Sequence, residues 1–176
     1  MKGPRVGLAL GGGAARGLAH IGVLRAMEDL KIPIDIIVGT SAGALVGACY
    51  ALTRNVNEVQ KRVVGFLQSK EFRQTKLEFL REQRKGEGLP PKSGRTKFFD
   101  NLKIFLRKGI FYTSSVTRIS FIPEDHFKRG INAILDDISI ESTPIPFAAV
   151  AVDLVSGEEV VMKQGALRTA VRASCA

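Results

Sequence analysis

The spacing of apolar positions changes period several times along this chain, and each change marks an element. Arg5-Val6-Gly7-Leu8-Ala9-Leu10 is a short apolar run that ends at Gly11-Gly12-Gly13, which predicts a buried strand. Beyond the glycines, Leu18, Ile21, Val23, Leu24, Met27 and Leu30 fall largely on one helical face. They predict a helix that begins near Ala14 or Ala15 and stops before Pro33, because the residue ahead of a proline avoids helical angles. Ile34-Asp35-Ile36-Ile37-Val38 predicts a second, β-branched strand, followed at once by Gly39-Thr40-Ser41-Ala42-Gly43. Ala44, Leu45, Val46, Ala48, Ala51 and Leu52 are apolar nearly all round, so the next helix is expected to be buried. Strand, glycine turn and helix, repeated twice, predict an α/β fold with a mainly parallel sheet and right-handed crossovers.

The pattern weakens after that. Val56, Val59, Val63, Phe66 and Leu67 predict a third helix. Residues 69–97, with Gly86, Gly88, Pro90, Pro91 and Gly94, predict a loop or insertion. Phe98, Phe99, Leu102, Phe105 and Leu106 fit a short helix whose other face is basic. It either packs on the core or lies on a membrane interface. Pro123 suits the first turn of a helix running to Ile134 and Leu135. Phe147 to Val152 predicts a strand, Ser156-Gly157 a turn, and Glu158 to Met162 its hairpin partner. Ala166 to Ala176 starts a small-residue helix with no capping glycine or polar tail, so the ending reads as a cut in a longer domain. A single domain over residues 1–176, incomplete at its C-terminal end, is the expected organisation. No internal repeat is visible.

Composition narrows the class. A chain of 176 residues with 45% hydrophobic and 24% charged residues can build its own core. Cys49 and Cys175 have no metal-like spacing, and His20 and His126 are the only histidines. A disulfide scaffold, a zinc ribbon and a multi-histidine metal centre are therefore set aside. No apolar run approaches the roughly 20 residues needed to span a bilayer, and the N-terminus lacks a signal-peptide pattern. The expected location is the cytoplasm, with peripheral membrane contact. Charge changes the picture most. The net +9 arises in one stretch, because residues 61–110 hold 14 Lys or Arg and 5 Asp or Glu while the remainder balances. Such a stretch is either a solvated loop or a patch for the phosphates of lipid headgroups or nucleic acid.

Two motifs carry chemistry. A serine on a sharp strand-to-helix turn, as in Gly39-Thr40-Ser41-Ala42-Gly43, lifts its hydroxyl clear of the backbone, and the flanking glycines remove side chains that would collide at the bend. The competing reading of Ser41 is a helix cap. Gly11-Gly12-Gly13-Ala14-Ala15-Arg16-Gly17 can point backbone amides at one oxygen, as an oxyanion hole does. Other readings are a P-loop, which lacks its Gly-Lys-Ser/Thr ending, and a dinucleotide fingerprint, in which Arg16 stands where glycine belongs. A plain glycine turn is the last.

Leu8 through Gly17, His20-Ile21-Gly22-Val23-Leu24 and Val38 through Ala44 together resemble the patatin-like phospholipases, in particular the bacterial group similar to neuropathy target esterase. Ala151-Val152-Asp153-Leu154 and Ala170-Val171-Arg172-Ala173-Ser174 fit the same pattern. The resemblance spans nearly the whole chain and is weakest over residues 55–145. It implies a three-layer α/β/α fold, a Ser-Asp dyad with Ser41 as nucleophile, and an oxyanion hole at Gly12, Gly13 and Ala14. Arg16 matches the basic position of the family's loop. No cofactor, metal or nucleic acid is implied; the substrate is a lipid or acyl ester. Ala14 departs from the pattern, since many members carry glycine there. The dyad aspartate is the larger departure, because the family places it in an Asp-Gly motif and this chain has no Asp-Gly dipeptide. Asp153 follows a predicted strand but matches a different family position. His20 is expected to hydrogen-bond in the core and His126 to be solvated. Asp125, adjacent to His126 in sequence, is poorly placed to orient it in a triad.

Three functions follow as expectations. The first is an acyl hydrolase for phospholipid, lysophospholipid or fatty-acyl esters, with these residues alone nearly inactive because a serine without a base is a poor nucleophile. The second is a phosphate- or nucleotide-binding α/β module. The third is a non-catalytic, degenerate hydrolase fold. Oligomeric state is left open.

Overall fold

The computed structural model describes residues 5–69, 72 and 124–175. Most of the basic stretch, the Phe98 to Leu106 segment, Pro123 and the His126 side chain lie outside them. Strand β1 (Gly7–Leu10) leads through the glycines into a tight turn of 3-10 helix (Ala14–Leu18) and helix α1 (Ala19–Asp29). Then come β2 (Ile36–Thr40), α2 (Ala42–Thr53) and α3 (Val56–Gln68). After the undescribed segment, α4 (Glu124–Ile134) and a 3-10 turn (Ile140–Ser142) precede β3 (Phe147–Val152), β4 (Glu159–Met162) and α5 (Leu167–Cys175).

The strands form one sheet in the order β1-β2-β3-β4. β1, β2 and β3 are parallel and β4 runs antiparallel to β3, so the sheet is mainly parallel, as expected. Register places Leu8 beside Ile37 and Ile37 beside Phe147. These side chains and Leu10 face α2, which lies so close that a methyl group at Gly47 would meet Ile37 Cγ2 at 2.9 Å. The core is therefore the layer between sheet and helices. Leu24, Ile37, Leu135, Ile140, Leu167, Val56, Val59 and Val171 are its largest fully buried side chains. α5 packs on β3 and α2, which brings the far end of the chain against the end of β2.

Three boundaries differ from the sequence reading. β2 starts and ends two residues later than the β-branched run suggests, and it includes Gly39 and Thr40. Pairing decides this, because Leu10 and Ala149 sit beside Gly39 and keep it in the ladder. The helix expected from Ala14 opens as a separate 3-10 turn, since Ala14 takes a left-handed φ of 48° and Arg16 N–H bonds back to Gly13 O at 3.0 Å. α2 begins at Ala42, two residues before Ala44, the first of the apolar positions read from the sequence. Among the described residues, no helix is long and apolar enough to cross a membrane.

Candidate active site

With β2 ending at Thr40 and α2 beginning at Ala42, the whole turn is one residue, Ser41. Its backbone sits at φ 54°, ψ −122°. A non-glycine residue held there stores roughly 1–3 kcal/mol and persists only where its surroundings enforce it. A capping serine has an extended backbone and an Oγ that accepts an N–H from the first helical turn. Ser41 has neither, and its side chain makes no cap bond. Asn55, which starts α3, shows the contrast. It is extended at φ −148°, and its side chain accepts from Asn57 N–H at 2.9 Å and Glu58 N–H at 3.2 Å. The Ser41 hydroxyl is thus not consumed by starting its helix.

The glycine loop lies directly over this serine. A Cβ built on Gly12 would stand 3.3 Å from Ser41 Cβ. The approach depends on Gly43, where a Cβ would overlap the Leu10 carbonyl at the end of β1. No side chain fits at that position, so the first turn of α2 seats against the start of the loop. His20 Nε2 bonds Gly11 O at 2.8 Å; a carbonyl only accepts, so this nitrogen carries the proton. His20 therefore hydrogen-bonds as expected, but at a half-buried position outside the core, and what it holds is the loop. Arg16 is exposed and Gly17 is buried against Ala42. Ser41, Gly12 and Gly43 are brought together, with Gly11, Gly13, Ala14 and Arg16 along the same loop and Gly39, Thr40 and Ala42 in the strand and helix that flank the turn.

Two residues beside Ser41 were not legible as site residues. Ser174 is the only serine, threonine, amide or charged side chain buried among the described residues. Its Oγ accepts the Ser41 N–H at 2.9 Å and donates to Val150 O at 2.6 Å. The second is Cys175, whose thiol neighbours the Ser41 hydroxyl. Burial pushes this thiol up to about 11, with the Ser41 hydroxyl pulling the other way. The signal for Ser174 was the Ala170 to Ser174 match, and Cys175 is the next residue. Nothing in the spacing of that match says that it returns to a serine 133 positions earlier.

The aspartates with described side chains are engaged or placed elsewhere. Asp153 accepts from Val155 N–H at 2.8 Å and Ser156 N–H at 3.0 Å, so it shapes its own hairpin turn. Those bonds, Ser156 first, hold its carboxyl below the usual carboxylate value. Asp35 accepts from Val6 N–H at the opposite end of the parallel strands. Asp136 pairs with Arg62 and Asp137 with Arg168. Asp29 ends α1. No three of His, Cys, Asp and Glu converge on a metal-sized site among the described residues.

Comparison with known proteins identifies the family of the chain. The family model for patatin-like phospholipases matches residues 8–176. Human patatin-like phospholipase domain-containing protein 6 is 30% identical over 174 residues, covering 99% of this chain and 10% of that protein. Neuropathy target esterase sws of Drosophila virilis is 31% identical over 174 residues, covering 99% of this chain and 9% of its own length. Lysophospholipase NTE1 of Pyricularia oryzae is 69% identical over 49 residues, or 28% of this chain and 3% of that protein. The chain thus spans about a tenth of the length of the relatives that align along all of it.

Proposed function

The chain belongs to the patatin-like phospholipase family, and from that premise we propose that it carries the nucleophile half of a serine acyl hydrolase acting on lipid esters. Ser41 Oγ attacks the ester carbonyl carbon and gives up its proton to a base. The C=O electron pair moves onto oxygen and is held by amides of the loop at Gly12, Gly13 and Ala14. Collapse of this intermediate expels the alcohol, which takes the proton from the base, and leaves an acyl group on Ser41. Water, deprotonated by the same base, then releases the fatty acid and restores the serine.

The observation that carries this reading is the backbone of Ser41, which sits at φ 54° without a cap bond and under a glycine loop. The loop, rather than Ser41 itself, is assigned the oxyanion because the Ser41 N–H is already bonded to Ser174. The base is assigned to an aspartate of an Asp-Gly segment outside these residues, since the chain contains no such dipeptide. The lysophospholipase name of the NTE1 relative supports lysophospholipid as a substrate, with diacyl phospholipid and simpler fatty-acyl esters in the same chemical class. In this reading the basic stretch 61–110 draws the protein to anionic lipid surfaces.

Fatty-acid release from a lysophospholipid and a diacyl phospholipid tests the assignment. It should be nearly absent with this chain, appear when the chain is extended through an Asp-Gly segment, and vanish again in the extended Ser41→Ala variant. Turnover that survives Ser41→Ala overturns it.

A further inference from the structure

We propose that Ser174 is a positioning residue for the nucleophile, holding the Ser41 backbone in the conformation that presents its hydroxyl. The inference rests on the assignment of Ser41 as nucleophile and adds a residue that the dyad and the loop do not include.

The geometry is specific. A hydroxyl has one proton to give and lone pairs to receive with. Ser174 Oγ gives its proton to Val150 O at 2.6 Å, which turns a lone pair toward the Ser41 N–H at 2.9 Å. Val150 lies beside Thr40 in the parallel ladder, so the acceptor belongs to the strand next to the one that ends at Ser41. Where β2 stops, the ladder cannot satisfy the next N–H, and the Ser174 hydroxyl stands in for the missing strand partner. Ser174 is buried and both bonds are partly shielded, so water competes weakly for them. Without the Ser174 hydroxyl, the Ser41 N–H has no partner in a backbone conformation that is already unfavourable. The turn then has reason to relax toward an ordinary helix start, in which the side chain caps α2 and leaves the reacting position.

The bond also partitions roles. Because the Ser41 N–H is taken, it is not free to receive the developing oxyanion, which leaves that role to the loop amides assigned above. Ser174 therefore acts through Ser41 and touches no substrate.

Labelling with a fluorophosphonate tests the proposal, using this chain, Ser174→Ala and Ser174→Thr, with the adduct located by peptide mass. In Ser174→Ala the first-order rate of labelling at Ser41 should fall about ten- to a hundredfold. The concentration for half-saturation by the phosphonate should change little. Ser174→Thr, which keeps the hydroxyl, should recover most of the rate. Amide exchange at Ser41 should accelerate in the alanine variant and stay slow in the threonine variant. Folding of each variant is checked by thermal melting, so that a rate is compared only among folded proteins; if Ser174→Ala does not fold, Ser174→Cys replaces it, with the same expected loss of rate.

A wild type that takes no label at Ser41 overturns the nucleophile assignment and this one with it. A wild type that labels while Ser174→Ala labels equally fast overturns this one alone. So does an alanine variant whose rate falls only in proportion to its unfolded fraction.

Discussion

Ser41 occupies a backbone conformation that glycine adopts freely and other residues do not. Stability and chemistry should therefore separate at this position. Ser41→Ala removes the hydroxyl but keeps the strained φ, whereas Ser41→Gly removes both. The glycine variant should melt higher than the alanine variant, by the equivalent of about 1 kcal/mol once the extra freedom of unfolded glycine is subtracted. Both should lose all labelling at residue 41. Equal melting temperatures would show that the turn is unstrained. The two cysteines give a pH dependence. Burial raises the Cys49 thiol to about 12 and the Cys175 thiol to about 11, from the ordinary thiol value of 9.0. The unfolded thiols therefore ionise first, and the unfolded chain holds fewer protons above pH 9. Stability from these groups is complete below that pH and is lost as pH rises through 11 to 12. Urea midpoints at pH 8 and at pH 10.5 should show the decline, with a smaller decline in Cys49→Ala. An equal decline in that variant would remove Cys49 as a source.

Among the elements, the junction of β1, its glycine loop and the start of α2 does the positioning. Gly43→Ala tests it, because its methyl group has nowhere to go but into the Leu10 carbonyl. Overpacking of this kind should cost at least about 2 kcal/mol and should abolish labelling in whatever fraction stays folded. A Gly43→Ala protein with normal melting and normal labelling would mean that α2 can stand off from the loop without consequence. The same junction explains which elements were legible in the sequence. β1, α2, α3 and the β3–β4 hairpin are local patterns, so periodicity and turn residues suffice to find them. Gly39 and Thr40 look like turn residues but belong to the strand. Gly39 lacks a side chain because α2 lies on it, with Ala44 Cα only 2.5 Å from where its Cβ would be. A glycine required by packing and a glycine required by a turn are the same letter.

For the molecule as a whole, the parallel order of β1, β2 and β3 gathers the ends of distant segments at one edge of the sheet. The glycine loop, Ser41 and the end of β3 meet there, and α5 brings Ser174 and Cys175 to the same place. The first two were legible because their motifs are contiguous. Ser174 was not, because its partner is chosen by the fold of the whole chain. His20 lay between these cases, since its place on a helix was readable but its bond to Gly11 O was not. The central claim is that this edge presents Ser41 as a nucleophile under an oxyanion loop. Intact-mass analysis after prolonged exposure to excess fluorophosphonate, comparing wild type with Ser41→Ala, addresses it most directly. The loop and turn alone should sustain slow reaction without the base, giving a single adduct on the wild type that is absent from the variant. An adduct that persists in Ser41→Ala, or a wild type left unlabelled after that exposure, would contradict the claim.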